Sequence, residues 1–225
     1  MNLRFRILLL PAIFAVALAA SGCTPFVVQR GPDITAPRLD VSNPEKETFT
    51  TADGLTLGVS SWPVETPRAV IVAFHGMNDY ARFIRGPAAW WAEQGIATYA
   101  VDQRGFGRSP NTGLWSGADS MTGDFRDFTA AVRARHPDVP LYILGESMGG
   151  AVVLAGMSQP NAPRADGIIL VAPAVWGWST MNFWYRSALW IVSHTLPAKR
   201  VTGSGLTIQP SDNVDALRDL GPDPL

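Results

Sequence analysis

Ser147 stands in Gly145-Glu146-Ser147-Met148-Gly149, between a short apolar run at 141–144 and an Ala-, Val- and Leu-rich stretch from about 150 to 158. Gly-x-Ser-x-Gly at such a junction is the spacing a nucleophilic serine requires. The serine must occupy a sharp strand-to-helix turn, so the positions two before and two after it can carry no side chain. The turn lifts the hydroxyl above the sheet edge. There the positive end of the following helix and the Met148 N–H can face an oxyanion forming on an attacked carbonyl. Alone the pattern is weak, because Gly and Ser are common turn residues; a strand before it and a helix after it give it weight. Residues 68–75 (RAVIVAFH) read as a buried strand ending in His75-Gly76-Met77-Asn78. A loop after an earlier strand is where this architecture places its other oxyanion donor.

HGMNDY at 75–80, DQRGFGRSP at 102–110 and GESMGG at 145–150, in this order and spacing, resemble the α/β-hydrolase superfamily. Within it they are most similar to the monoacylglycerol lipase and lysophospholipase group, also catalogued with the serine aminopeptidases. The resemblance covers about 47 to 225 and is far more specific for fold than for substrate. It implies Ser147 as nucleophile, the backbone N–H groups of Met77 and Met148 as oxyanion hole, and His75, Gly76, Gly145, Glu146 and Gly149 as the supporting turns. Glu146 stands where many relatives have His and is not read as catalytic. The implied substrate is a small lipid or ester, a monoacylglycerol or lysophospholipid, cleaved through an acyl-enzyme.

The elements that must position these residues follow from the apolar pattern. Residues 47–51 and 55–62 flank Ala52-Asp53-Gly54 as a hairpin. Runs at 69–74, 97–101, 141–144 and 167–172 are nearly all apolar, as in strands covered on both faces. Helices are expected at 82–94, ending at Gly95, and at 122–136. Strand alternating with helix gives a doubly wound, mostly parallel sheet whose ligands bind at the strands' carboxyl ends. Asp102 follows such an end, but the acid of this architecture comes after the nucleophile, so Asp102 is read as a turn residue held by Asp and Arg hydrogen bonds. From 173 the texture changes: Trp176, Trp178, Phe183, Trp184, Tyr185 and Trp190 crowd together, and 183–195 reads as an amphipathic helix opening a cap. Its aromatic side could line an acyl slot or simply pack.

A serine nucleophile needs a base and a carboxylate to orient it. The chain has three histidines. His75 is expected to brace the oxyanion loop, and His136 ends a helix at the amino edge of the sheet. His194 with Asp166 completes the order nucleophile, acid, base, yet Asp166 opens its strand at the wrong edge. The more economical expectation is a chain that stops before the last two strands of the family, leaving an apolar strand at the sheet edge. Two readings from different classes therefore stand beside each other: an ester hydrolase in its complete form, and a non-catalytic lipoprotein whose half-site binds a lipid or a partner. A peptidase releasing an N-terminal residue ranks below both, since no acidic cluster is dedicated to an α-amine.

At 225 residues, 47% hydrophobic and with a formal charge of −1, the chain suits one large-cored domain and gives no reason to expect nucleic acid. No metal site appears among its His, Asp and Cys spacings, and Gly105-Phe106-Gly107 is too short for a dinucleotide loop, so no cofactor is implied. Arg4 and Arg6 precede an apolar run from 7 to 20, the form of a secretion signal. That run ends in Leu18-Ala19-Ala20-Ser21-Gly22-Cys23, which resembles a bacterial lipoprotein cleavage box with Cys23, the single cysteine, as the acylated residue. Ala20 departs from the usual Leu; ordinary signal cleavage and an uncleaved anchor are the alternatives. The expected order is a signal peptide (1–22), a Pro-rich tether (23–46), for which packing on the domain as an irregular strand is the alternative, the hydrolase core (47–172) and a partial cap (173–225), exported and held on a membrane on the periplasmic or outer-membrane side.

Overall fold

The computed structural model describes residues 27–196. Among these, seven strands form one sheet: β1 (Arg38–Asp40), β2 (Thr48–Thr50), β3 (Thr56–Trp62), β4 (Ala69–Phe74), β5 (Ile96–Val101), β6 (Leu141–Glu146) and β7 (Gly167–Val171). Their order is β1-β2-β3-β5-β4-β6-β7. β1, β2 and β3 pair antiparallel and β3 is antiparallel to β5, whereas β5, β4, β6 and β7 run parallel. A 3-10 turn (Ala81–Ile84) leads into α1 (Arg85–Glu93); α2 (Gly117–Arg135), α3 (Met148–Met157) and α4 (Phe183–Thr195) follow. This is the doubly wound, mostly parallel sheet that the apolar pattern predicts, and the fold that the α/β-hydrolase resemblance implies. The residues fall into two compact units, one from Val27 to Val175 and one beginning at Trp176.

Strand period explains the layers. Successive side chains of β4 point to opposite faces. Val70, Val72 and Phe74 join Phe125, Phe128 and Val132 of α2 and Val152 and Val153 of α3 in the larger core. Ile71 and Ala73 meet Ala81, Ile84 and Ala88 on the other face. The Phe74 and Phe125 rings lie 5.1 Å apart, as do those of Phe49 and Phe128, so the hairpin is sealed onto the same core. Full burial of each such ring contributes on the order of 3 kcal/mol. On β7, by contrast, Ile168, Ile169, Leu170 and Val171 are all more than a third exposed, because among the described residues β7 is the sheet's edge.

Two expectations differ from what is found. α2 begins at Gly117, not at 122, because Gly117 takes φ +78° and turns the chain into the helix ahead of Asp119. Thr122 is then interior, donating back to the Ala118 carbonyl at 2.9 Å. The second concerns 23–46, expected as a tether. From Val27 onward this stretch lies on the core, and it contributes β1.

Charge is what holds it there. Val28 N–H donates to the Trp115 carbonyl at 2.9 Å and Ile34 N–H to that of Ala52 at 2.8 Å. Arg30 crosses α2 above Gly123, where an added Cβ would come within 2.8 Å of its Nη1, and donates to Asp124 at 2.8 Å and Asp127 at 2.9 Å. Asp124 also receives two bonds from Arg104, at 2.8 and 2.7 Å, while Arg104 gives two more to Asp53 in the hairpin turn, at 2.8 and 2.9 Å. The Arg104 side chain is 2% exposed, so both carboxylates are needed to offset its desolvation. Burial pushes the Asp53 carboxyl up, but the bonds from Arg104 and Thr51 outweigh it and hold the group well below the usual carboxylate range.

Replacing Arg104 with Met should cost about 3–5 kcal/mol, because it takes from the buried Asp53 its only guanidinium and leaves Asp124 with Arg30 alone, read as a lower midpoint in urea. A group whose native pKa is depressed stabilises the fold above its unfolded value, about 3.9 for Asp, and that stability is lost as pH falls below it. The wild type should therefore lose stability below about pH 4 with a slope that is shallower in Arg104→Met.

Candidate active site

β4 and β6 pair with Phe74 opposite Gly145, so the residues leaving their carboxyl ends, His75-Gly76 and Glu146-Ser147, run side by side. A Cβ added at Gly76 would stand 3.3 Å from the Ser147 Cβ, which places the loop after β4 against the serine. Ser147 itself has φ +49° and ψ −113°. A side-chain-bearing residue there carries on the order of 1–3 kcal/mol of strain. Its backbone is pinned on both sides: its N–H donates to the Val171 carbonyl at 2.9 Å, and its own carbonyl accepts from Ala174 at 2.8 Å and Ala151 at 3.2 Å. The side chain is half-buried, open enough for a reactant to reach.

The glycines of the motif are dictated by backbone contacts. A Cβ at Gly145 would lie 2.7 Å from the Gly149 carbonyl oxygen, and one at Gly149 would lie 2.1 Å from that of Phe74. Removing both side chains lets α3 start directly over the end of β4. Met148 is the first residue of α3, so its N–H has no acceptor four residues back. Met77 lies in the loop after β4, 54% exposed, followed by Asn78 at φ +59°.

His75 is fully buried beneath that loop. Its Nδ1 bonds the Gly76 carbonyl at 2.7 Å, and its Nε2 accepts the Gln103 N–H at 2.9 Å, an arrangement that fits the neutral ring with its proton on Nδ1. Burial pushes its pKa down, against the pull of the Gly76 carbonyl and of Asp102 and Asp79. Gln103 also donates from Nε2 to the His75 carbonyl at 2.7 Å, clasping the loop a second time. Asp102 is committed elsewhere: one oxygen accepts from Ala81 N–H at 2.7 Å, the other from Arg108 N–H at 3.0 Å and Arg108 Nε at 2.8 Å. It is the turn residue that its place in the chain predicts.

Neither His75 nor His136, the histidines of the unit that holds Ser147, is hydrogen-bonded to it. His136 bonds the Tyr99 hydroxyl at 2.9 Å. Asp166 accepts from Leu141 N–H and Arg133, both at 2.8 Å, at the amino end of β6, the edge opposite Ser147. Its pairing with His194 therefore does not assemble at Ser147. Glu146 is half-buried; burial first, and then Asp79, pushes its carboxyl up. Gln103, Arg104 and Asp79 had no role in the sequence reading. Gln103 and Arg104 sit inside the DQRGFGRSP motif, but nothing in that string says which side chain reaches which partner. Cys23 lies outside the described residues.

Comparison with known proteins agrees with this geometry. A family model described as serine aminopeptidase, S33, matches residues 65–225. The chain is 31% identical over 137 residues to a monoacylglycerol lipase of Mycolicibacterium smegmatis, covering 60% of this chain and 48% of that protein. It is 30% identical over 120 residues to phospholipase YtpA of Bacillus subtilis, covering 51% and 44% respectively. The chain thus spans about half the length of these curated relatives. Among solved structures, the α/β hydrolase GrgF from Penicillium superposes with a TM-score of 0.53 at 24% identity, over 65% of this chain and 50% of that one. That likeness supports the fold.

Gly149→Ala should destabilise the protein by about 3 kcal/mol, since no rotamer moves a Cβ away from the Phe74 carbonyl. Gly86 in α1 is the control, because a Cβ there meets nothing within 4 Å. Gly86→Ala should be neutral or stabilising by up to about 1 kcal/mol, by urea denaturation of both variants.

Proposed function

The chain belongs to the serine aminopeptidase S33 family, and from that premise we propose a serine hydrolase that cleaves carboxylic esters, of monoacylglycerols or lysophospholipids, through an acyl-enzyme on Ser147. The observation that carries the reading is the strained serine at φ +49°, set between the loop of Gly76 and the first turn of α3. Ser147 Oγ adds to the ester carbonyl; the N–H groups of Met77 and Met148 receive the negative oxygen; the alcohol leaves, and water then releases the acid. Loss of one oxyanion donor costs about 3 kcal/mol of barrier, so the loop that presents Met77 matters nearly as much as the base. In this reading the base and its orienting acid come from residues other than the described ones. Relatives named as lipases and a phospholipase support an ester over an amide as the bond attacked.

A second reading is favoured by one observation, that neither histidine of the unit holding Ser147, His75 or His136, is hydrogen-bonded to it. It is a non-catalytic lipoprotein that holds a lipid or a partner at the same place. Fluorophosphonate labelling separates the two, since a serine without a base is a weak nucleophile. The hydrolase reading expects label on Ser147, hydrolysis of a monoacylglycerol above that of a prolyl amide, and both lost by more than about a thousandfold in Ser147→Ala. A folded wild type that takes no label supports the binding reading; faster prolyl amide turnover supports a peptidase.

We further propose that Cys23 is lipidated and holds the protein on a membrane after export, on the strength of the residues from 18 to 23. Fed labelled palmitate, cells expressing the wild type should incorporate it into the protein, and Cys23→Ser should not. Equal incorporation would remove Cys23 as the site.

A further inference from the structure

Three hydrogen bonds beneath the loop after β4 act in series. The Gln103 N–H can only donate, so the His75 Nε2 that faces it at 2.9 Å must be bare, and the neutral ring carries its one proton on Nδ1. Nδ1–H then donates to the Gly76 carbonyl at 2.7 Å. That carbonyl shares a peptide with the Met77 N–H. In a trans peptide the two point opposite ways, and among the described residues no peptide is cis. With the carbonyl drawn down onto a fully buried ring, the N–H is turned up and out of the core, where Gly76 borders Ser147. Among the described residues nothing accepts it.

The ring is held to this arrangement. Phe106 and Phe83 pack edge-on against it at 5.5 and 6.4 Å, fixing its plane without offering it a hydrogen bond. Gln103 Nε2 donates to the His75 carbonyl at 2.7 Å, so two consecutive peptides of the loop are fastened, one by the Gln103 side chain and the next by the ring that its backbone orients. Gly76 has no side chain to resist a turn of the peptide that follows it, which leaves these bonds to decide the direction that peptide faces. Packing alone does not account for the glutamine. Its Oε1 is buried with no donor among the described residues, a loss of stability that an apolar side chain of the same length would avoid. A local rule broken beside a reactive serine is a mark of function.

We propose that Gln103 is a positioning residue for the oxyanion hole: it fixes the His75 ring as the Nδ1–H form and holds the His75 carbonyl, and so keeps the Met77 N–H turned toward Ser147. The hydrolase reading enters only in what that N–H receives. Its direction is a matter of the three bonds.

In the full chain with isotope-labelled histidine, NMR at neutral pH should show the His75 ring protonated at Nδ1 and bare at Nε2, the ring being identified by its loss in His75→Asn. Gln103→Met keeps the length and the backbone N–H but not the side-chain donor. It should move the Met77 amide peak and lower kcat for a monoacylglycerol by about tenfold or more with KM little changed, since the oxyanion forms only in the transition state. His75→Asn, whose amide can stand where Nδ1–H stands, should keep about tenfold more of kcat than His75→Leu. A proton on Nε2 overturns the proposal, as does a Met77 peak that Gln103→Met leaves in place or a loss confined to KM. The ring is read in the wild type, so a variant that does not fold leaves that test standing. A wild type that neither hydrolyses the ester nor takes a fluorophosphonate removes the hydrolase reading instead, and the tautomer and the Met77 peak then decide whether the peptide is aimed in this way.

Discussion

A guanidinium withdrawn from water must be met by carboxylates, and in this chain the guanidinium of Arg104 sets where three distant segments lie. It meets Asp53 in the hairpin turn and Asp124 on α2, and Asp124 passes the constraint on to Arg30 in the amino-terminal strap. Buried ion pairs of this kind add little to net stability compared with a well-packed apolar substitute. Their effect is on placement. Arg104 follows Gln103, and Gln103 clasps His75 by two bonds, so the position of the loop beside Ser147 is referred through one residue to the hairpin, the helix and the strap.

The serine adds a second, local constraint. Its backbone is in a conformation that no ordinary residue chooses, and it is kept there because the surrounding contacts leave no other path: β7 and the segment after it grip its amide and carbonyl, and two glycines let the helix start over β4. Strain of this kind persists only where its surroundings over-determine it.

The fold was legible because its signals are local. Strand period, the Gly95 stop and the strand-turn-helix setting of Ser147 each need only a few consecutive residues, and α4 was delimited by its own aromatic spacing. What escaped was non-local. Arg104 and Asp53 are 51 residues apart, and Arg30 and Asp124 94, so nothing in the neighbourhood of either announces the other. The same blindness made a prolines-and-polars stretch read as a tether, since composition records what a segment lacks in apolar content and not the ion pairs that dock it. For the site, the nucleophile's turn could be read from the string; the clasp by Gln103 could not, because a glutamine in a loop carries no pattern of its own.

The docking of the strap changes how far the domain can stray. Read as a free chain, more than twenty residues would have let an anchored protein roam well away from its attachment point. With Val28 already bonded to Trp115, the span from Cys23 to that first fixed point is at most about 18 Å of extended chain. An acyl group on Cys23 would therefore act as a short leash, keeping the domain within a few water layers of the lipid and raising the local concentration of any substrate drawn from it.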